Sequence, residues 1–166
     1  MCDGSCNVLL GNDGPVHVRE VVAALLALGP ITQLFRSGLA WCVAVANAVA
    51  VLSDVPPVAD ARLQERSFGA WESRPWDDIH AETGDATLGM VTAPGTWRPP
   101  DGETTFELRD RALAWHADLP ADGRVVAVTR GGHIAALVGT LLQLPVAEWP
   151  RMIPRCGAVV LLEPGG

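Results

Sequence analysis

The chain has 166 residues, 49% of them hydrophobic, and a formal charge of −7, which fits one domain large enough to bury a real core. An acidic surface with no basic cluster excludes nucleic acid as a partner, because phosphates are repelled at long range. Every long apolar run is interrupted by charge, proline or glycine, which excludes a membrane-spanning helix and predicts no membrane partner.

The amino end lacks a basic stretch followed by an apolar one, so no export signal is expected and the cytoplasm is the expected location. Cys2, Cys6, Cys42 and Cys156 show no metal-ligand spacing; free thiols are expected, with no metal and no cofactor. Residues 7–10, NVLL, predict a first strand. Gly11, Asn12, Asp13, Gly14 and Pro15 then form a turn in which Asp13 is suited to cap the following helix. Val18, Val21, Val22, Leu25 and Leu26 recur at helical spacing.

Residues 31–35 predict a strand, and residues 39–52 a helix apolar enough to be largely buried, with Trp41 near its start. That helix serves either as core or as the interface of a homodimer. Residues 55–58 cross back through two prolines. Residues 62–72, RLQERSFGAWE, have no clean period and predict a loop over the sheet edge. Residues 76–83 predict a short helix. Residues 84–100, spaced by glycine and proline, read as a mobile cover over a site, so an irregular covering segment spans about 62–104. A turn at residues 101–104 leads into a helix over 105–119.

Residues 124–142, RVVAVTRGGHIAALVGTLL, organise the rest. A mostly β-branched run at 125–129 predicts a strand buried on both faces. Gly131 and Gly132 break it, and Ile134, Leu137, Val138, Leu141 and Leu142 then mark a helix. Such a turn lies at the carboxyl end of a strand, where ligands bind, and free amides at a helix start attract anions. Arg130 sits in the turn. Residues 158–162 predict a closing strand. Alternating strands and helices, with no repeat and no linker, predict a single three-layer α/β/α domain over residues 1–166 with a mostly parallel central sheet.

Three segments in this order carry a resemblance. LQERSFGAWES is similar to the Leu-x-Glu-Arg-x-Phe-Gly-x-Trp-Glu-Gly signature of the histidine phosphatase superfamily, in its phosphoglycerate-mutase-like branch. PPDGETTFELRDRALAW resembles that family's Pro-x-Gly-Glu-Ser segment with its trailing Arg, here Arg111. VVAVTRGGHIAALVGTLL resembles the strand and helix around its His-Gly-Gly motif. The resemblance implies the phosphoglycerate-mutase-like fold.

It also marks departures. Where the family has Arg-His-Gly, the matching positions are Asn12, Asp13 and Gly14; where it has a second arginine, Trp41; and where it has its second catalytic histidine, Arg130. The family's acid/base carboxylate is retained as Glu103. Phosphoryl transfer by the family's route needs an imidazole nucleophile and a ring of cations, so ordinary phosphatase activity is not expected. Asp13 and Arg130 are expected to pair, with Glu103 beside them and Trp41 as an apolar wall, in a pocket suited to a largely apolar small molecule.

Two readings follow. In the first, Asp13, Glu103 and Arg130 are catalytic and carry out proton transfer on a small metabolite, as in cyclisation, isomerisation, dehydration or ring opening within natural-product biosynthesis. Asn12, His17, Trp41, Thr104 and His133 are then the substrate-binding candidates. In the second, the chain is an inactive relative that binds a ligand or a protein; residual phosphatase activity is a third and lesser reading. Each candidate also has a structural role open to it: Asp13 and Glu103 as helix caps, Arg130 as partner of Asp13, His17 and His133 as peripheral helix residues. Trp71, Trp76 and Trp97 either line a pocket or staple the irregular segment to the core.

Overall fold

The computed structural model describes residue 2 and residues 14–163, with side chains described for Cys2 and from residue 18 onward. The expected strand at 7–10 lies outside the described residues. Helix α1 (Gly14–Ala27) leads to strand β1 (Gln33–Arg36), helix α2 (Ala40–Ser53) and strand β2 (Pro57–Ala59). Helices α3 (Trp76–Thr83) and α4 (Gly89–Thr92) follow, then α5 (Thr105–Ala117), strand β3 (Val125–Val128) and α6 (Gly131–Leu141).

The described strands form a parallel sheet in the order β2-β1-β3. Leu34 is in register with Pro57 on one side and Val126 on the other. Because successive side chains on a strand point to opposite faces, the sheet separates two apolar clusters. Leu34, Val126 and Val128 meet Val21, Val22 and Leu25 of α1 and Cys42, Val45 and Val49 of α2. On the other face Phe35, Val125 and Ala127 pack with Leu63, Ala112 and Trp115 of α5 and Leu137 of α6. Helices on both faces of a parallel sheet make the three-layer arrangement that the alternation of elements predicts.

Helix ends follow local chemistry. Asp54 ends α2 in the left-handed region at φ 57°, its amide bonded to the Ala50 carbonyl. Thr104 caps α5: its hydroxyl accepts from the Glu107 amide at 3.0 Å, and the Glu107 carboxylate accepts from the Thr104 amide at 2.8 Å. This reciprocal box satisfies two donors that a helix start leaves open.

The covering segment is more regular than its glycines and prolines suggest. It holds 3₁₀ turns at Ala61–Leu63, Gly69–Trp71 and Gly84–Leu88 besides α3 and α4. Its tryptophans pack on one another: Trp71 and Trp97 lie 5.7 Å apart, Phe68 and Trp76 lie 5.4 Å apart, and Ile79 and Cys2 are buried among them. Gly69, at φ 53°, lets this segment approach the backbone of Pro100 and Asp101, where a Cβ would overlap the Pro100 carbonyl.

The expected strand at 158–162 is corrected. Among the described residues, 158–162 have no strand partner; Val159 packs on the first cluster while Val160, Leu161 and Leu162 are exposed. Apolar β-branched chain becomes strand only where a neighbouring edge receives its amides and carbonyls, and no described strand does so. The strand expected at 31–35 begins two residues later, with Ile31 serving as core instead.

Candidate active site

At the carboxyl ends of the parallel strands, residues 60–68 run across the mouth of the fold. The Asp60 amide bonds the carbonyl of Arg36 at the end of β1. The Asp60 carboxylate accepts from the Arg62 amide at 2.8 Å and pairs with its guanidinium at 2.8 Å. The hydrogen bond from Arg62 is the main reason its carboxyl stays below the usual range. Leu63 is fully buried and anchors the loop in the second cluster, and the Thr129 hydroxyl, just past β3, donates to its carbonyl at 2.6 Å.

The next residues carry the polar machinery. One Glu65 oxygen accepts from the Arg66 amide and the other from the Gly132 amide, both at 2.9 Å. Glu65 therefore occupies the anion-attracting start of α6. Opposite it, the turn at 101–104 presents Glu103, whose amide donates to the Ser67 carbonyl at 2.9 Å and whose carboxylate accepts from the Ser67 amide at 3.3 Å. Arg111 of α5 grips that carboxylate from behind, with Nε 2.7 Å from Oε1 and an Nη 3.0 Å from Oε2. Gln64, Glu65, Ser67, Asp101, Glu103 and Arg111 border an open cleft of about 340 Å³.

The candidates read from the sequence fare unequally. Asn12 and Asp13 lie outside the described residues, as does the side chain of His17, so the expected Asp13–Arg130 pair lies there too. Glu103 does line a cleft. Its described partner is Arg111, and the α5 cap is Thr104 instead of Glu103. Thr104 is 1% exposed and its hydroxyl serves Glu107, which corrects its expected substrate-binding role. Arg130 stands at the N-cap position of α6.

Trp41, half-buried at the start of α2, packs against the first core cluster; in place of the expected apolar wall, the Glu103 cleft has polar borders. His133 is corrected in the opposite direction, since it is neither at a pocket rim nor peripheral. It is 1% exposed, edge-to-face with Trp115 at 6.3 Å, and neither ring nitrogen meets a hydrogen-bond partner. Burial, reinforced by the Arg111 charge, pushes its pKa down to about 4, so the ring is neutral.

Arg66 is buried as well, and the desolvation lowers its pKa; one Nη donates to the Thr105 hydroxyl at 2.8 Å. Among the described residues no group of three or more His, Cys, Asp or Glu is arranged to hold a metal ion. No described helix is long and apolar enough to cross a membrane.

Reading the sequence missed the parts played by Glu65, Ser67 and Arg111. A signal for Arg111 was present. Leu108, Arg111, Ala112 and Trp115 fall at i, i+3, i+4 and i+7, so a charge interrupts an apolar stripe. A cation in that place needs acceptors nearby.

The fold and the Glu103 cleft define a class, and the comparison with known proteins agrees. Residues 2–166 match the histidine phosphatase superfamily, branch 1, and the chain belongs to that family. It is 31% identical over 151 residues to the glucosyl-3-phosphoglycerate phosphatase of Mycolicibacterium vanbaalenii, covering 85% of this chain and 65% of that protein. To a Klebsiella pneumoniae protein named "Probable phosphoglycerate mutase GpmB" it is 34% identical over 125 residues, covering 74% of this chain and 58% of that one. The chain thus spans less than two thirds of the length of these relatives. A mycobacterial glucosyl-3-phosphoglycerate phosphatase solved with inorganic phosphate superposes with a TM-score of 0.79 at 28% identity, over 90% of this chain and 76% of that chain.

These findings correct the functional expectation. Relatives named as phosphatases and as a mutase point to phosphate-ester chemistry. They speak against both the proton-transfer enzyme on a non-phosphorylated metabolite and the inactive binding module. The expectation rested on four replaced positions, Asn12, Asp13, Trp41 and Arg130, against the colinear remainder of the chain.

Proposed function

We propose that this chain is a phosphomonoesterase acting on a small, hydroxyl-bearing phosphorylated metabolite. The observation that carries the reading is Glu103: the carboxylate that matches the family's acid/base is held by both oxygens at the border of an open polar cleft. The kinship to a phosphatase across 85% of the chain supports it.

In this reading water is the phosphoryl acceptor, since histidine is absent from both positions where the family has it. The P–O bond to the metabolite breaks as a P–O bond to water forms. Glu103, protonated from solvent, delivers a proton to the departing oxygen, and the proton lost by the attacking water passes back to solvent, so the carboxyl is restored for the next turnover. Arg130, at the N-cap position of α6, offsets charge on the phosphate oxygens. Transfer to a second hydroxyl of the same metabolite, a mutase outcome, shares the bond-breaking step and is favoured by the kinship to the Klebsiella protein.

The test is phosphate release from p-nitrophenyl phosphate, glucosyl-3-phosphoglycerate and 3-phosphoglycerate, with 2-phosphoglycerate followed in parallel. Wild-type turnover is expected on at least one of them, with kcat for Glu103→Gln lower by about 10²- to 10⁴-fold, the usual share of general acid catalysis. Acid quenching is expected to leave no phosphate on the chain. Wild-type rates equal to buffer on all three compounds, or full activity in Glu103→Gln, would overturn the reading.

A further inference from the structure

Arg111 has every donor in use. A guanidinium carries five N–H groups, and this one makes five hydrogen bonds. Nε donates to Glu103 Oε1 at 2.7 Å. One Nη donates to the carbonyls of Arg62 at 2.7 Å and Gln64 at 2.6 Å. The other donates to the Glu65 carbonyl and to Glu103 Oε2, each at 3.0 Å.

Two consequences follow. Arg111 has no donor left for a phosphate oxygen unless an existing bond breaks, so it does not serve as the anion grip that a lone arginine beside a cleft suggests. It also ties separate pieces of chain together. The paired bonds fix the Glu103 carboxylate in one plane, and the three carbonyl bonds set the course of residues 62–65. The last of these residues sends its carboxylate to the Gly132 amide at the start of α6. One side chain thus sets the 101–104 turn, the 62–67 loop and the amino end of α6 relative to one another.

We propose that Arg111 is a positioning residue of the phosphate-ester reaction, an inference that rests on the reading above: it holds Glu103 toward the departing oxygen and, through Glu65, registers the start of α6 against it. Lysine keeps the charge and fails in this role, because three donors on one tetrahedral nitrogen cannot reach five acceptors spread around the edges of a planar fork.

The test joins kinetics to hydrogen exchange. In Arg111→Lys, kcat is expected to fall at least 30-fold with KM within threefold of wild type. The amides of Ser67 and Gly132, which donate to Glu103 and Glu65, should exchange at least tenfold faster. Guanidinium ion added to Arg111→Ala should recover kcat at least fivefold. Retained kcat, a change confined to KM, or unchanged exchange at both amides would overturn the proposal.

Should the variants fail to fold, the wild-type side chain decides. Five bonds require slowly exchanging, separately resolved Nε and Nη protons, and freely averaging Nη signals refute them. If the wild type turns over none of the phosphate esters, the phosphomonoesterase reading falls while exchange and side-chain signals still report on whether Arg111 fixes Glu103 and Glu65.

Discussion

Acidification from pH 6.5 toward pH 4 is expected to destabilise the fold through His133. The ring is 1% exposed against Trp115, without a partner for either nitrogen. Desolvation, with Arg111 adding to it and Asp60 opposing it, brings the folded pKa from 6.5 down to about 4. Above pH 6.5 the ring is neutral in both states and adds no pH dependence. Below that value the unfolded chain takes up the proton first, so the free energy of unfolding falls by about 1.4 kcal/mol per pH unit until the folded pKa is reached.

The whole difference is about 3 kcal/mol, a large part of the ~5–15 kcal/mol that holds a typical domain. Urea unfolding of the wild type and of His133→Leu, measured from pH 7.5 to 4.5, isolates the effect. Carboxylates held low in the native state, such as Asp60, lose their contribution only at still lower pH, below that range. The gap between the two stability curves should change by most of 3 kcal/mol across that range. Parallel curves would refute the argument that His133 is buried neutral.

Two further substitutions probe the scaffold around the site. Thr104→Ala removes the hydroxyl half of the α5 capping box and keeps the bond from the residue-104 amide to Glu107; a loss of about 1 kcal/mol is expected in denaturant unfolding, and no loss would show that the hydroxyl adds nothing to α5. Gly139→Ala places a methyl group against the ring of buried Trp149, whose Nε1 is fixed to the Leu144 carbonyl at 3.0 Å. Overpacking there should cost about 1–3 kcal/mol, read as a lower midpoint with an unchanged slope.

The amino-acid sequence alone determined the alternation of elements, because apolar spacing and end signals are local. The stripe from Val18 to Leu26, the run at 125–129 and the glycine pair that opens α6 mark their elements without tertiary help. It also determined the family and singled out Glu103, since both rest on short motifs in a fixed order. The closing strand at 158–162 was not legible in the same way, because pairing is a property of two segments and β propensity belongs to one.

The site was less legible for a related reason. Single residue types showed that Arg130 replaces a histidine and that Trp41 replaces an arginine. Only the folded chain decided that Trp41 lies against the core, that Thr104 spends its hydroxyl on Glu107, and that His133 is sealed beneath Trp115. The Glu103–Arg111 pair, the three carbonyls turned toward Arg111 and the Glu65 bond to Gly132 join residues up to 67 positions apart. Such contacts arise where the loops at the carboxyl ends of the strands converge, and charge or hydrogen-bond partnership at that distance is set by packing, which no local pattern encodes.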